Sequence, residues 1–113
     1  MKNILLKIFV LLFVITACSS EPPSIRVLNR RTNKANVQIK TANNNTININ
    51  DVGSNQTTPY QEIEEGYHKA TATLQSESAS PFIYFTTIKN RKYTIVVLDG
   101  AVPSLRIDDD GEK

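Results

Sequence analysis

The sequence predicts an all-β fold, a single small antiparallel Ig-like β-sandwich of about 7–8 short strands over residues 25–107. Short runs rich in Val, Ile, Thr, Tyr and Phe alternate apolar with polar side chains, and Gly, Asn, Asp and Ser fill the gaps between them. No apolar stripe with helical spacing follows residue 18. The chain has one cysteine and no tryptophan, so it lacks the Cys…Trp…Cys pattern of true immunoglobulin domains.

Four strands are predicted in the first half of the domain. The alternation is weak over residues 25–28 and clean over residues 37–40 and 46–50, where every second side chain is Val or Ile. Residues 58–63 form a further short strand that contains a proline and a tyrosine. Turns rich in Asn, Asp and Gly separate these runs, because such residues favour turn conformations.

Four more strands follow in the second half. Residues 68–74 alternate throughout, residues 82–88 are aromatic and β-branched, and residues 93–98 are the most strongly strand-like segment. Residues 104–107 form a short last strand. The predicted core comprises apolar residues on the inward face of these strands: Val27, Val37, Ile39, Ile63, Ala72, Ile95 and Val97.

The N-terminal segment has the composition of a bacterial signal peptide. Lys2 and Lys7 supply positive charge, and residues 8–15 form an apolar run. This run is too short to cross a bilayer as a helix, which takes about 20 residues. We therefore expect a signal peptide over residues 1–17.

The single cysteine directly follows this leader. Residues 15–18 read Ile-Thr-Ala-Cys and resemble the lipobox of bacterial lipoproteins. The resemblance implies cleavage between Ala17 and Cys18 and lipid attachment at Cys18, with residues 18–24 as a tether and the membrane as a partner. By resemblance to Gram-negative lipoproteins, Ser19 favours the outer membrane. The alternative is an ordinary signal peptide with an incidental cysteine, which would leave an oxidisable thiol on a secreted protein.

The charge balance argues against nucleic-acid binding. Removal of the leader takes Lys+Arg from 13 to 11, equal to the 11 Asp+Glu. Nucleic-acid affinity rests on an excess of basic residues, so no nucleic-acid partner is expected. Residues 108–113 contain three consecutive aspartates and a glutamate. We interpret them as a solvated acidic tail, since their spacing does not match a wrapped calcium loop.

Strand alternation also predicts which loops share an end of the domain. If successive strands run antiparallel, every second connection returns to the same end. The end near the tether would hold residues 42–45, 64–66 and 89–92. The opposite end would hold residues 29–34, 51–57, 75–80 and 99–103. We expect this far end to offer a partner surface through Arg30, Arg31, Lys34 and Asn55.

No catalytic residue, metal site or cofactor is predicted. His68 is the only histidine, and a base needs an orienting partner while zinc needs several N or S ligands. We therefore interpret His68 as a partly buried structural residue. Four tyrosines could form a carbohydrate-stacking platform, although aromatic residues in short strands are more often packed in the core or at its rim. They are Tyr60, Tyr67, Tyr84 and Tyr93.

Four segments in order resemble a bacterial domain-of-unknown-function family of Ig-like envelope sandwiches. Residues 25–29 (IRVLN) resemble its opening R-V-x-N strand, and residues 36–39 (NVQI) its V-D-V-Y strand. Residues 60–68 (YQEIEEGYH) resemble its Y-x-x-V-P-A-G segment, and residues 87–97 (TIKNRKYTIVV) its closing G-K-x-Y-T-V-V. Two glutamates stand where Pro-Ala is usual, and Asn-Arg replaces the turn glycine. The family carries no established enzymatic activity.

These observations predict a lipid-anchored cell-envelope protein whose β-sandwich binds or scaffolds without catalysis. The expected partner is another envelope protein or a polysaccharide. The alternative is an accessory lipoprotein subunit of an envelope machine, such as a secretion system or a polysaccharide modification or export apparatus. An enzyme is not expected, because the sequence offers almost no convergent cluster of titratable groups.

Overall fold

The computed structural model describes residues 20–113. The predicted signal peptide and the predicted lipidation of Cys18 lie outside these residues. The described part contains eight strands: β1 (Ser24–Asn29), β2 (Ala35–Lys40), β3 (Thr46–Val52), β4 (Gln61–Glu62), β5 (Gly66–Leu74), β6 (Phe82–Thr87), β7 (Arg91–Leu98) and β8 (Ser104–Glu112). No helix within these residues is long and apolar enough to cross a membrane.

The strands form two four-stranded sheets. Sheet I has the order β4-β1-β7-β8, and sheet II has the order β3-β2-β5-β6. The predicted all-β fold is therefore confirmed. The prediction of a wholly antiparallel arrangement is wrong at one pair, because β1 and β7 run parallel. The chain reverses at every connection, so two odd-numbered strands that become neighbours must point the same way.

The core lies between the two sheets and follows the period-two pattern. Strand β2 shows this most clearly, with Ala35, Val37 and Ile39 buried and the residues between them exposed. All seven predicted core residues are buried, with at most 3% of any of them exposed. They pack in one cluster with further apolar side chains from both sheets: Ile25, Ile49, Val52, Leu74, Phe85 and Tyr93.

The predicted acidic tail is instead the second half of β8. This strand continues to Glu112 and pairs with β7, with Asp109 opposite Tyr93 and Glu112 opposite Arg91. The aspartate side chains alternate between the two faces of the strand, so each can find its own partner. Asp109 lies 2.9 Å from the Nε of Arg91.

The predicted tether is shorter than residues 18–24, because residues 21–23 pack on the domain. The Glu21 amide donates to Asn90 Oδ1 at 2.7 Å, and the Asn90 amide donates to the Glu21 carbonyl at 2.9 Å. Lys113 Nζ donates to the Pro22 carbonyl at 2.9 Å. Since Ser24 already belongs to β1, the folded domain begins at Glu21.

The two predicted sets of loops lie at opposite ends of the sandwich. At the end that holds Glu21, which we call the tether pole, the Lys89 amide donates to Glu65 at 3.2 Å and Asn45 donates to Glu64 at 3.1 Å. At the far pole, Arg31 bridges the loops before β2, after β5 and after β7. This grouping of the loops is confirmed. The sequence also predicts that Lys89, Arg91 and Lys92 face lipid headgroups or pair with Glu64 and Glu65. Within the described residues they make no salt bridge to either glutamate, and Arg91 pairs with Asp109 instead.

Candidate functional site

The outer face of sheet II presents side chains from all four of its strands to solvent. Its side chains alternate with the buried residues of four strands, so they point away from the core. They are mainly aromatic rings, amides and hydroxyls. We call this surface the aromatic–amide face and define it by Asn36, Gln38, Lys40, Asn48, Asn50, Tyr67, Lys69, Thr71, Thr73, Phe82, Tyr84 and Thr86.

Three aromatic rings form a contiguous cluster on this face. Tyr67 is 62% exposed, Phe82 56% and Tyr84 51%. The rings of Tyr67 and Tyr84 are nearly parallel, with centroids 5.6 Å apart, and Phe82 meets Tyr84 edge-on at 5.9 Å. The register of β5 and β6 produces this cluster. It pairs Lys69 with Tyr84, so Tyr67 and Phe82 lie on either side of Tyr84 along the strands.

A field of amides and hydroxyls adjoins the rings across β2, β3 and β5. Six of these side chains or their backbones line a shallow depression of about 240 Å³, together with Val37. The amides make few contacts with each other: Gln38 Nε2 lies 3.4 Å from Asn48 Oδ1. Asn36 Oδ1 accepts from the Asp51 amide at 2.7 Å, where a bulge ends the face. Most of their donors and acceptors therefore point to solvent.

The outer face of sheet I differs because its charges are paired internally. Arg26 donates to Thr94 Oγ1 at 3.0 Å and stacks over the Tyr60 ring at 4.4 Å. Thr94 and Tyr60 both donate to Asp110, Tyr60 at 2.7 Å. Burial and the adjacent Asp110 carboxylate raise the pKa of Tyr60 above its ordinary value. These contacts occupy polar groups that would otherwise be free to bind a ligand.

The four tyrosines do not form one platform. Tyr67 and Tyr84 lie together on the aromatic–amide face, and Tyr60 lies on the outer face of the opposite sheet. Tyr93 is in the core, where its hydroxyl accepts from the Ile88 amide at 3.0 Å. Phe82 completes the cluster, and the sequence interpretation missed it because every residue of 82–85 is apolar.

His68 is a structural residue, and it is more deeply buried than predicted at 1% exposure. Its Nδ1 accepts from the Ala42 amide at 3.1 Å. Its Nε2 lies 3.0 Å from the Glu64 carbonyl and 2.8 Å from Thr87 Oγ1. Because Nδ1 itself accepts a hydrogen bond and Nε2 faces two oxygens that can accept one, the ring is the neutral tautomer that carries its proton on Nε2. Burial lowers the pKa of His68, which favours this neutral form.

Arg31 does not belong to a free partner surface. It is buried, and its guanidinium donates to Glu77 at 2.8 and 3.0 Å and to the carbonyls of Leu98 and Gly100 at 3.0 and 3.1 Å. Loops from both sheets thus meet at one side chain, whose five donors suit that task. Arg30, Lys34 and Asn55 are exposed, and their role in partner binding stays a prediction.

The titratable groups of the described part do not converge on a metal site. Within residues 20–113, no group of three or more His, Cys, Asp or Glu side chains could hold a metal ion. The aspartate run is divided between partners: Asp108 pairs with Arg106 and Asp109 with Arg91. Hydrogen bonds from Arg91 and then from the Gly111 amide lower the pKa of Asp109.

Comparison with known proteins supports the fold alone. No family model and no curated protein matches the chain, so the resemblance to the envelope-sandwich family stays a prediction. An NMR structure of a protein from Eubacterium rectale is similar, with a TM-score of 0.57 and 18% sequence identity. The match covers 77% of this chain and 88% of that protein.

Proposed function

We propose that this protein is a lipid-anchored cell-envelope protein whose Ig-like sandwich binds a partner through the aromatic–amide face, without catalysis. The observation that carries the proposal is the contiguous cluster of Tyr67, Phe82 and Tyr84, each more than half exposed. Burial of an aromatic ring is strongly favourable, so a fold that keeps three of them in contact at the surface gains nothing from their exposure. Such clusters mark interaction sites.

The state of the other polar groups supports a binding role. Protein groups occupy both ring nitrogens of His68, and the three aspartates of β8 are held by arginines or by Tyr60 and Thr94. The defining residues of the aromatic–amide face, in contrast, include no histidine, cysteine, serine or carboxylate, and its rings, amides and hydroxyls are groups that bind. Binding without bond cleavage is the function that this distribution favours.

The docked N-terminus supports a close attachment to the membrane. With Cys18 as the lipidated residue and Glu21 fixed to the domain, only Cys18, Ser19 and Ser20 separate the lipid from the fold. Three extended residues span about 10 Å. The tether pole would therefore lie against the headgroups, at the outer membrane if Ser19 directs export. The aromatic–amide face would then stand on the side of the domain, because its strands run from pole to pole.

Two measurements on the full chain test this proposal. Metabolic palmitate labelling should mark the wild type and be lost in Cys18→Ser, which should also leave the membrane fraction. A photo-crosslinking residue at Thr86, on the aromatic–amide face, should form adducts in cells, while the same residue at Glu62, exposed on β4 of the other sheet, should not. Unchanged labelling, or equal adducts from both positions, would contradict the proposal.

The identity of the crosslinked partner separates the two forms of this function. A carbohydrate adduct supports a free-standing binding protein. Repeated capture of one component of an export or secretion apparatus supports the accessory-subunit alternative instead.

A further inference from the structure

The aromatic–amide face has the chemistry of a carbohydrate-binding surface. We propose that its ligand is a strand of uncharged polysaccharide built from equatorially substituted pyranoses. This inference rests on the proposed binding function and names its ligand class. Such sugars present flat C–H faces that stack on aromatic rings and a rim of hydroxyls that donate and accept hydrogen bonds.

The geometry of the ring cluster matches an extended glycan. Tyr67 and Tyr84 are inclined by 7° to each other and are stacked, so their planes are parallel and both rings present one side of the stack to solvent. Phe82 stands at 84° to Tyr84 and forms a wall at one end. Successive ring centroids lie 5.6 and 5.9 Å apart, a step comparable to one pyranose in an extended chain. The solvent-facing side of the cluster, where each ring is more than half exposed, can therefore contact adjacent sugars of one chain.

The amide field supplies the matching polar contacts. Asparagine and glutamine side chains each carry two donors and an acceptor with two lone pairs, and threonine hydroxyls donate and accept. Sugar hydroxyls have the same dual character. The amides at Asn36, Gln38, Asn48 and Asn50 form a ladder two strands wide beside the rings, so they can follow a linear ligand over several sugars.

The charge of the face decides against other ligand classes. Its defining residues include two ammonium groups, those of Lys40 and Lys69, and no carboxylate. Lys69 already lies over the rings, 4.4 Å from the centre of Phe82 and 5.6 Å from that of Tyr84. Two cations are too few to hold a polyanion, which is bound by many basic contacts. A protein interface would be expected to have a more apolar centre with a polar rim, whereas here the aromatic cluster and the polar field lie side by side.

Calorimetric titration of the full chain tests the ligand class. The protein is held in micelles of a detergent without a sugar headgroup and titrated with cellohexaose and with chitohexaose, which distinguish a hydroxyl-only glycan from an N-acetylated one. Maltohexaose, whose linkage is axial, is the stereochemical control. Tyr84→Ala should weaken binding at least about tenfold. Ile88→Ala removes an apolar side chain that is 51% exposed but lies outside the face, and it should leave binding unchanged.

The outcomes are separable from those of the proposed function. Binding of either equatorial hexasaccharide, lost with Tyr84 and kept with Ile88, supports the inference. No binding of either, equal binding of maltohexaose, or indifference to Tyr84→Ala overturns it. Amide shift mapping on the wild type gives a second readout if a variant misfolds, since shifts confined to β2, β3, β5 and β6 are required. If Thr86 still crosslinks to a protein while no sugar binds, only the ligand class is wrong.

Discussion

Replacing His68 with alanine probes the network that joins three segments at the tether pole. The ring accepts from the Ala42 amide and donates toward the Glu64 carbonyl and Thr87. Its loss leaves the part-buried Ala42 N–H and the Thr87 hydroxyl each without a partner, which costs about 1 kcal/mol. The ring also packs against Phe85, with centroids 5.3 Å apart, and a truncated core side chain typically costs about 2 kcal/mol or more.

The expected destabilisation is therefore about 3 kcal/mol or more, a large part of the roughly 5–15 kcal/mol that holds a small domain folded. Urea unfolding of the wild type and His68→Ala measures it. The midpoint should fall at an unchanged slope, because the slope reports the surface exposed on unfolding. A shift worth less than about 0.5 kcal/mol, typical of a surface change, would refute the structural role derived for this histidine.

The same residue gives the domain a defined pH dependence. Burial lowers the pKa of His68 in the folded state, below the unfolded value of about 6.5. The unfolded chain therefore takes up a proton first as the pH falls. The contribution to stability is complete above about pH 6.5 and declines below it, by at most about 1.4 kcal/mol per pH unit for one proton. His68→Ala should lose this slope below about pH 6.5. An identical slope in the variant would show that another group is responsible.

Three further changes test the fold at other positions. Arg31→Ala should lower the free energy of unfolding by about 2–4 kcal/mol, because it removes four hydrogen bonds and takes the arginine partner from the Glu77 carboxylate. In the same denaturation assay, Arg30→Ala, at an exposed position, should change this free energy by less than about 0.5 kcal/mol. Ile95→Asp should abolish the folded far-ultraviolet spectrum, since it buries an unpaired charge in the core, and Val102→Asp, at a site that is 78% exposed, should not. A chain stopped after Ile107 loses the second half of β8 and should melt several degrees lower, whereas an unaltered melting temperature would show that this segment is a solvated tail after all.

Local sequence determined the strands and much of the core. Val37 and Ile39 alternate with polar neighbours, so the period of two alone places them inward. The same alternation, with a reversal at each turn, was sufficient to group the loops at two poles. These features depend on residues that are close together in the chain, so they can be predicted from the sequence pattern.

Tertiary structure decided the rest, because the deciding contacts join residues far apart in sequence. Residues 82–85 are all apolar, and only packing against sheet I places Ile83 and Phe85 inward and leaves Phe82 and Tyr84 in solvent. The parallel pairing of β1 with β7 and the partner of Asp109 are likewise set by distant strands. Composition assigned Arg31 to the surface, but the Glu77 carboxylate after β5 and two carbonyls at the end of β7 supply the hydrogen bonds that allow its burial.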